Sequence, residues 1–355
     1  MTDFRKQFQE LIEKSYIPTN ADEIVRSNVW NDIHKLIIPN IPEKLFRYRK
    51  IDKYSLEELR EGKMWLCHAG MFPDKYDSYL YVNRHKVRKD LENAIRNALR
   101  VCLMYISPST SNMNSEKVAQ VCSYRERGFT NEQIIDIMLH EEDICKIVNQ
   151  IDDTIKGQES RFRRPRNTAK IGCFTESVQS KYMWDRYGGG YKGFALEYDL
   201  RNSIFEYSKR SLNVNLLPII YGDSRLDATS EESNMYAYEY MKQFGDKNWL
   251  PLANSMLSVN QLYWYKAYLY KDRKEYEHEH EWRMLYYNLD NEDDYESIPD
   301  AGCLKAIYYG SDIKDSDKEE LHKIAMQRGL KEYDISLDSE SPKYELKISL
   351  LDESK

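Results

Sequence analysis

The chain has 355 residues, of which 41% are apolar and 31% are charged, and its net charge is −7. This composition predicts a globular protein with a sizeable core, and the negative charge excludes general attraction of the whole molecule to nucleic acid. No apolar run approaches the ~20 residues that span a bilayer, the N-terminus lacks a signal-peptide core, and the cysteines form no C-x-x-C pair. We therefore expect a cytoplasmic protein with reduced thiols and no membrane contact.

Residues 1–42 predict an N-terminal helical segment. Phe4, Phe8 and Leu11 recur at helical spacing, and residues 20–23 resemble the N-cap of a second helix. We expect the remaining residues, 43–355, to form a single domain.

A short strand is expected at residues 45–49. Alternation along it places Arg47 and Arg49 on one face and Phe46 and Tyr48 on the other. The two arginines would then share one surface of a sheet.

A short helix should follow this strand. Ser55 and Glu58 have the spacing of a capping box, Gly62 would end the helix, and residues 64–67 predict a second strand. The next block, residues 86–157, has helical periodicity and predicts a helical insertion. Within this block, Thr130 and Gln133 have the spacing of a capping box that begins a long helix.

The second half of the chain mixes strands and helices without regular alternation. We predict strands at 171–175, 191–198, 216–221, 304–310, 332–337 and 344–351, and helices at 231–244, 252–270 and 316–328. This order predicts an α+β fold with a largely antiparallel or mixed sheet.

Glu279 and Glu281 stand at the head of an apolar, aromatic run. In a strand the two carboxylates would share one face. If Glu275 and Glu277 belonged to the same strand, four carboxylates about 7 Å apart would repel one another, so the strand should start near Glu279. Residues 271–278 would then be a charged turn that selects a partner. The pair marks either a binding site or a solvated sheet edge.

His278 and His280 leave a metal site open as an alternative, because H-x-H also places two ligands on one strand face. The glycine run at 188–190 lacks the spacing of a phosphate loop. No serine nucleophile motif is present.

The segment at 183–187 contains Trp184, Arg186 and Tyr187. Its aromatic side chains either lie beside a ligand or form an i, i+3 core pair on a short helix.

A basic cluster stands out in this acidic chain, and it comprises Arg161, Arg163, Arg164 and Arg166. It is either a local nucleic-acid contact or a solvated linker.

Several segments occur in an order that resembles the bacterial domain-of-unknown-function family two-nine-seven-one. The resemblance spans roughly residues 43–312, and the helical block is outside it. Pro73-Asp74-Lys75 departs from the family's N-D-P. The matching segments are Leu45-Phe46-Arg47-Tyr48-Arg49, Ser55-Leu56-Glu57-Glu58-Leu59, Met64-Trp65-Leu66, Phe72-Pro73-Asp74-Lys75-Tyr76-Asp77-Ser78, Cys173-Phe174-Thr175-Glu176, Met183-Trp184-Asp185-Arg186-Tyr187, Lys192-Gly193-Phe194-Ala195-Leu196-Glu197-Tyr198, Glu279-His280-Glu281-Trp282-Arg283 and Leu304-Lys305-Ala306-Ile307-Tyr308-Tyr309-Gly310.

That family in turn resembles ADP-ribosyltransferases, which have a split-sheet α+β fold and bind NAD in a cleft. The resemblance implies that Arg47 or Arg49 is the first-strand arginine, Thr175 the middle-strand hydroxyl and Glu281 the last carboxylate of an E-x-E motif, with Glu279 as the other.

The function implied is an NAD-dependent ADP-ribosyltransferase that modifies a protein or nucleic-acid acceptor, as a bacterial toxin or phage-defence effector does. Glu281 would stabilise the oxocarbenium-like ribose, Glu279 would orient the acceptor, and Arg47 or Arg49 would bind the pyrophosphate. Further residues expected to contact NAD are Tyr48, Trp184, Tyr187 and Arg283.

Two other functions remain open from the sequence. One is a non-catalytic module that binds a nucleotide or nucleic acid. The other is a metal-dependent phosphoesterase or nuclease that uses His278, His280 and the glutamates.

Overall fold

A computed structural model describes residues 3–105, 116–140, 142–156, 165–201, 214–242, 255–287 and 293–351. The α-helices in these ranges are α1 (Asp3–Lys14), α2 (Glu23–Ile37), α3 (Lys53–Glu61), α4 (Arg84–Tyr105), α5 (Glu116–Glu126), α6 (Asn131–Leu139), α7 (Glu142–Lys156), α8 (Lys181–Arg186), α9 (Thr229–Met241), α10 (Tyr263–Ala267), α11 (Arg273–Tyr276) and α12 (Asp315–Arg328). The strands are β1 (Leu45–Arg49), β2 (Lys63–His68), β3 (Lys170–Thr175), β4 (Phe194–Tyr198), β5 (Val214–Pro218), β6 (Ile220–Gly222), β7 (Tyr270–Asp272), β8 (Glu281–Tyr286), β9 (Tyr295–Pro299), β10 (Leu304–Tyr309), β11 (Lys331–Leu337) and β12 (Leu346–Leu350).

Ten of these strands form one open, mixed sheet. Its order is β12-β11-β10-β4-β1-β3-β2-β9, and β8 pairs with both β3 and β5. Strands β10 and β11 run parallel, whereas the other pairs in this sheet are antiparallel. Strands β6 and β7 form a separate parallel pair. The mixed sheet with helices confirms the predicted α+β class.

The sheet opens between β1 and β3. These strands pair only through Phe46 and Thr175, and β2 pairs with β3 only at Lys170 and Ile171. Residues 172–174 therefore pair with β8 on one side and face a gap on the other. This gap is the structural origin of the cleft described below.

The N-terminal helices belong to the main hydrophobic core. Phe8 and Ile12 of α1 and Ile33 and Ile37 of α2 are buried in the same cluster as the inner residues of the sheet. Each such side chain contributes about 1.5–3 kcal/mol when it is fully buried.

A second hydrophobic cluster holds the helical block together. It combines the buried faces of α4 to α7 with Tyr236 and Tyr240 of α9. Because α9 lies more than 70 residues after the block, the spacing within residues 86–157 did not reveal this partner.

Several elements differ from the sequence prediction. The helix expected at 252–270 is short in the described residues, with α10 at 263–267 followed by β7, and residues 252–254 lie outside the described ranges. The N-cap of α3 is Asp52, with Ser55 completing its capping box, so Glu58 is not a capping residue. The long helix expected after Thr130 is divided into α6 and α7.

In the parts of the chain that the structure describes, none of the helices combines the length and the apolar character that crossing a bilayer requires.

Candidate functional site

The gap in the sheet opens into a cavity of about 210 Å³. Its walls come from β1, β3, β8, the loop at 72–77, helix α8 and the segment at 271–279. The charged residues on its surface are Arg47, Arg49, Asp74, Asp77, Arg186, Lys271, Glu279, Glu281 and Arg283. Thr175 also lines it. The structure thus brings the predicted arginines, threonine and glutamates to one cleft.

Both glutamates face the cavity, although not through strand alternation. Strand β8 begins at Glu281, Glu279 ends a 3₁₀ turn, and His280 between them has a left-handed φ of 45°. The strand thus starts two residues after the predicted position near Glu279, and the reversal at His280 is what aims both carboxylates the same way. Each glutamate is only 3% exposed, so the alternative of a solvated edge is wrong.

Lys271 joins the two carboxylates. Its Nζ donates to Glu279 Oε2 at 2.7 Å and to Glu281 Oε2 at 2.8 Å, and the lysine side chain is 7% exposed. The sequence predicted Lys271 in a projecting, partner-selecting turn. Instead it belongs to β7 and points inward, because two buried carboxylates require a cation.

Arg283 anchors Glu281 from the other side. Its Nε donates to Glu281 Oε1 at 2.7 Å, and its two terminal nitrogens donate to the Asp77 carboxylate at 2.9 and 2.5 Å. Arg283 is fully buried. Burial alone raises the pKa of the Glu281 carboxyl, but Arg283 and Lys271 outweigh it and hold that pKa well below its usual value. Glu281 is therefore ionised.

The two carboxylates differ in how fully they are hydrogen-bonded. Glu281 accepts two hydrogen bonds from Arg283 and one from Lys271. Glu279 accepts from Lys271 and, at 2.9 Å, from the hydroxyl of Tyr187. A carboxylate has about four acceptor positions, so Glu279 retains more capacity for a ligand hydroxyl.

Backbone contacts fix the turn that carries these residues. The Thr175 hydroxyl donates to the Glu279 carbonyl at 2.6 Å, and the Glu281 amide donates to the Tyr221 hydroxyl at 2.7 Å. Thr175 thus positions the carboxylates in addition to lining the cleft.

The arginines of β1 lie at the opposite end. Arg47 donates to Glu58 at 3.2 Å and to the Trp65 carbonyl at 2.9 Å, and Arg49 donates twice to Glu58 at 2.9 and 3.1 Å. Arg47 Nε is buried without a hydrogen-bond partner in the described residues. Burial and the neighbouring Arg49 lower the pKa of Arg47, so added negative charge is favourable here.

The cleft is consequently polarised. At the β1 end, Arg47 and Arg49 face one carboxylate, Glu58, which leaves one net positive charge. At the β8 end, the described residues place three carboxylates (Asp77, Glu279 and Glu281) against two cations (Lys271 and Arg283), which leaves one net negative charge among them. Arg186 and Asp74 add one charge of each sign at the cavity wall.

Aromatic side chains complete the walls, but not all the predicted ones. Tyr187, Tyr276, Phe72 and Tyr48 line the cavity, and the Tyr48 hydroxyl donates to the carbonyl of Ser177 at 3.0 Å.

Trp184 lies in the core instead. It is fully buried, packs edge-on against Tyr48, and its indole nitrogen donates to the Val178 carbonyl at 2.7 Å. The prediction that Trp184 stacks on a ligand is therefore corrected: its face is occupied by core neighbours. Helix α8 places Trp184 inward and directs Tyr187 to the cleft.

The basic cluster contributes no exposed patch in the described residues. Arg161, Arg163 and Arg164 lie outside the described ranges. Arg166 is buried, and its guanidinium donates to the carbonyls of residues 69, 74 and 75. It braces the loop that forms one cleft wall and is not available to nucleic acid.

The contacts of His278 and His280 do not support the alternative of a metal site. His278 packs edge-on against Tyr182 with ring centres 3.9 Å apart, and His280 is exposed in the turn. The described residues include no group of three His, Cys, Asp or Glu side chains placed to hold a metal ion.

The sequence prediction missed three residues that pair with the charged side chains of the cleft, namely Asp77, Lys271 and Glu58. Asp77 reaches its partner across 206 residues, a distance that no local pattern encodes. Its position in the segment at 72–78, which carries the family resemblance, was the one available signal.

A family model described as "Protein of unknown function (DUF2971)" matches residues 183–284. This range runs from α8 into β8 and so contains Tyr187, Lys271, Glu279, Glu281 and Arg283. No curated protein and no solved structure matches the chain. The likeness to ADP-ribosyltransferases stays a prediction. The chain is thus similar to this family over a segment that contains every charged residue of the acidic end of the cleft except Asp77.

Proposed function

We propose that the chain is an NAD-dependent ADP-ribosyltransferase-like enzyme that transfers ADP-ribose to a protein or nucleic-acid acceptor. The observation that carries this proposal is the polarised cleft, with a positive end at β1 and a negative end at β8.

NAD has the complementary charge pattern. Its pyrophosphate is anionic and its nicotinamide ring is cationic. Because β3 separates β1 from β8, the two ends lie two strand spacings apart, about 10 Å. A dinucleotide is long enough to reach both ends, with part of it outside the enclosed cavity.

The residues at the positive end fit a phosphate. Arg47 has a buried Nε without a partner in the described residues, and a guanidinium binds phosphate by charge-assisted hydrogen bonds. Arg49 adds a second positive charge, while Glu58 holds both side chains in place.

The residues at the negative end fit the ribose and the nicotinamide ring. Tyr187 and Tyr276 offer aromatic faces beside two carboxylates. When bound, NAD supplies a glycosidic bond whose cleavage leaves positive charge on the ribose, and an adjacent carboxylate stabilises such charge.

We assign the ribose contact to Glu279. Glu281 is held by Arg283 and Lys271, so it sets the geometry and charge of the site, whereas Glu279 has acceptor capacity left. This reverses the order of importance that the sequence resemblance implied.

The test is nicotinamide release from NAD by the purified chain. We expect Glu279→Gln to lower the release rate by about 10²-fold or more, as is typical for loss of a transition-state electrostatic contact. Glu277→Gln is the matched control, because Glu277 lies in the same turn but pairs with Arg273. Absence of both nicotinamide release and an NAD-induced thermal shift would refute the proposal.

A second function, nucleotide binding without turnover, is supported by one observation. Lys271 already forms an ion pair with both carboxylates. If this ion pair persisted with ligand bound, neither glutamate could stabilise developing charge. A thermal shift with NAD but no nicotinamide release in any variant would favour this function.

A further inference from the structure

We propose that the acidic end of the cleft is a cation-binding subsite that the Lys271 ammonium occupies, and that a ligand places its own delocalised cation there by displacing this ammonium. Where that ligand is NAD, the cation is the pyridinium ring, and this identification rests on the proposed function. The subsite itself does not depend on NAD.

The surroundings of the Lys271 ammonium are those of a built cation site. Glu279 and Glu281 each accept a hydrogen bond from it at 2.7 and 2.8 Å. The ring centre of Tyr276 lies 4.1 Å from Nζ, within the range of a cation–π contact. The same two carboxylates and aromatic face would bind the cation of a ligand in place of the Lys271 ammonium.

The charge balance leaves room for a cation. Asp77, Glu279 and Glu281 carry three negative charges against the two positive charges of Lys271 and Arg283. Asp77 and Arg283 satisfy each other through two hydrogen bonds. The two remaining negative charges, on Glu279 and Glu281, are therefore balanced by the single positive charge of Lys271, and one negative charge is left over.

The other charged groups that face the subsite do not remove this surplus. Arg186 lies 5.8 Å from the Tyr276 ring centre and 5.6 Å from that of Tyr182, so it sits among tyrosines at the outer wall. Asp74, the acidic group at this wall, lies beside Tyr276, whose pKa is raised by burial and by Asp74. Arg186 and Asp74 carry opposite charges.

The position of Lys271 in the fold allows its withdrawal. It is carried by β7, which pairs with β6 outside the ten-stranded sheet, whereas Glu281 belongs to β8 inside it. Withdrawal of the Lys271 side chain therefore breaks its bonds to the two glutamates but none of the backbone hydrogen bonds between strands of the main sheet.

The experiment compares two probes of nearly the same shape, the cation 1-methylnicotinamide and the neutral 3-methylbenzamide, by isothermal titration. Lys271→Met replaces the ammonium with an uncharged side chain of similar length. We expect this variant to bind the cation at least about tenfold more tightly than the wild type does, equivalent to about 1.4 kcal/mol, with no such gain for the neutral probe. Lys274→Met, an exposed lysine three residues later, is the control and should bind as the wild type does.

If Lys271→Met binds both probes equally, or binds neither, the subsite proposal is overturned. A gain specific to the cation supports it whether or not the wild type releases nicotinamide from NAD. The failure of the enzymatic proposal can thus be told apart from the failure of the subsite.

Loss of Lys271 leaves two buried carboxylates without their shared cation, which destabilises the fold. A second measurement covers a variant that unfolds. Lys271→Ala should gain thermal stability from added butylammonium, which restores the missing charge, and not from 1-butanol at the same concentration. Equal effects of the two additives, or no effect of either, would overturn the proposal.

Discussion

Substituting Arg283→Met is expected to destabilise the fold by about 3–5 kcal/mol, the cost of breaking a buried ion pair by removing one partner. Arg283 is fully buried and bonds to Asp77, to Glu281 and, at 2.8 Å, to the carbonyl of Tyr268. Methionine fills much of the same volume, so loss of packing is a minor contribution. The cost comes from carboxylates left without their cation.

This magnitude is a large share of the stability of a typical domain, about 5–15 kcal/mol. The double variant Arg283→Met/Asp77→Asn removes one of the stranded charges together with the arginine. We therefore expect it to recover part of the loss, with a coupling of about 1–3 kcal/mol between the two positions.

The loss should also depend on pH. In the wild type, burial raises the pKa of Glu281, but Arg283 and Lys271 lower this pKa by more than burial raises it, so the net shift is downward. A depressed carboxyl pKa contributes stability that is present above the unfolded value of about 4.3 and is lost as pH falls through the folded value. In Arg283→Met this contribution is reduced, so the difference in unfolding free energy should shrink below about pH 4.

Urea unfolding followed by tryptophan fluorescence measures these quantities. A loss below about 1 kcal/mol at pH 7, or a loss that is unchanged down to pH 3.5 where both proteins remain folded, would show that Arg283 is not the counter-charge of the network.

Further predictions concern the supports of the cleft. Gly193→Ala should prevent stable folding, since a Cβ there would lie 2.1 Å from a backbone oxygen of β1, whereas Gly222→Ala meets its nearest atom at 3.6 Å and should leave the melting temperature nearly unchanged. Glu58→Gln should weaken NAD binding and lower the melting temperature, because it loosens both β1 arginines; unchanged values of both would contradict this role. Trp184→Phe should lower the unfolding free energy by about 1–3 kcal/mol through the stranded carbonyl of Val178, and a change in NAD affinity without a change in stability would contradict its assignment to the core.

A helix or strand could be predicted from the sequence where its residue periodicity or its capping residues alone determine it. The strand with Arg47 and Arg49 on one face, the capping box at Thr130 and the helix stop at Gly62 all depend on neighbours a few residues away. The structure confirms each of them.

The chemistry of the cleft was less predictable because it depends on distant partners. Nothing local indicates that Lys271, in a charged stretch, turns inward to Glu279 and Glu281. Likewise Glu58 has the spacing of a capping residue, but it is buried between two arginines. The position of Trp184 in the sequence is compatible with a ligand contact and with a core residue, and only tertiary packing distinguishes these two interpretations.

The central claim is that the polarised cleft binds a dinucleotide whose ring end is cationic. The direct measurement compares NAD with NADH by isothermal titration to the wild-type chain, because the two share their phosphates and riboses while NADH has a neutral ring. We predict that NAD binds more tightly, by at least about twofold, since a cation–π contact contributes about 0.5–1 kcal/mol even at exposed sites. Equal binding of the two, tighter binding of NADH, or binding of neither would contradict the claim.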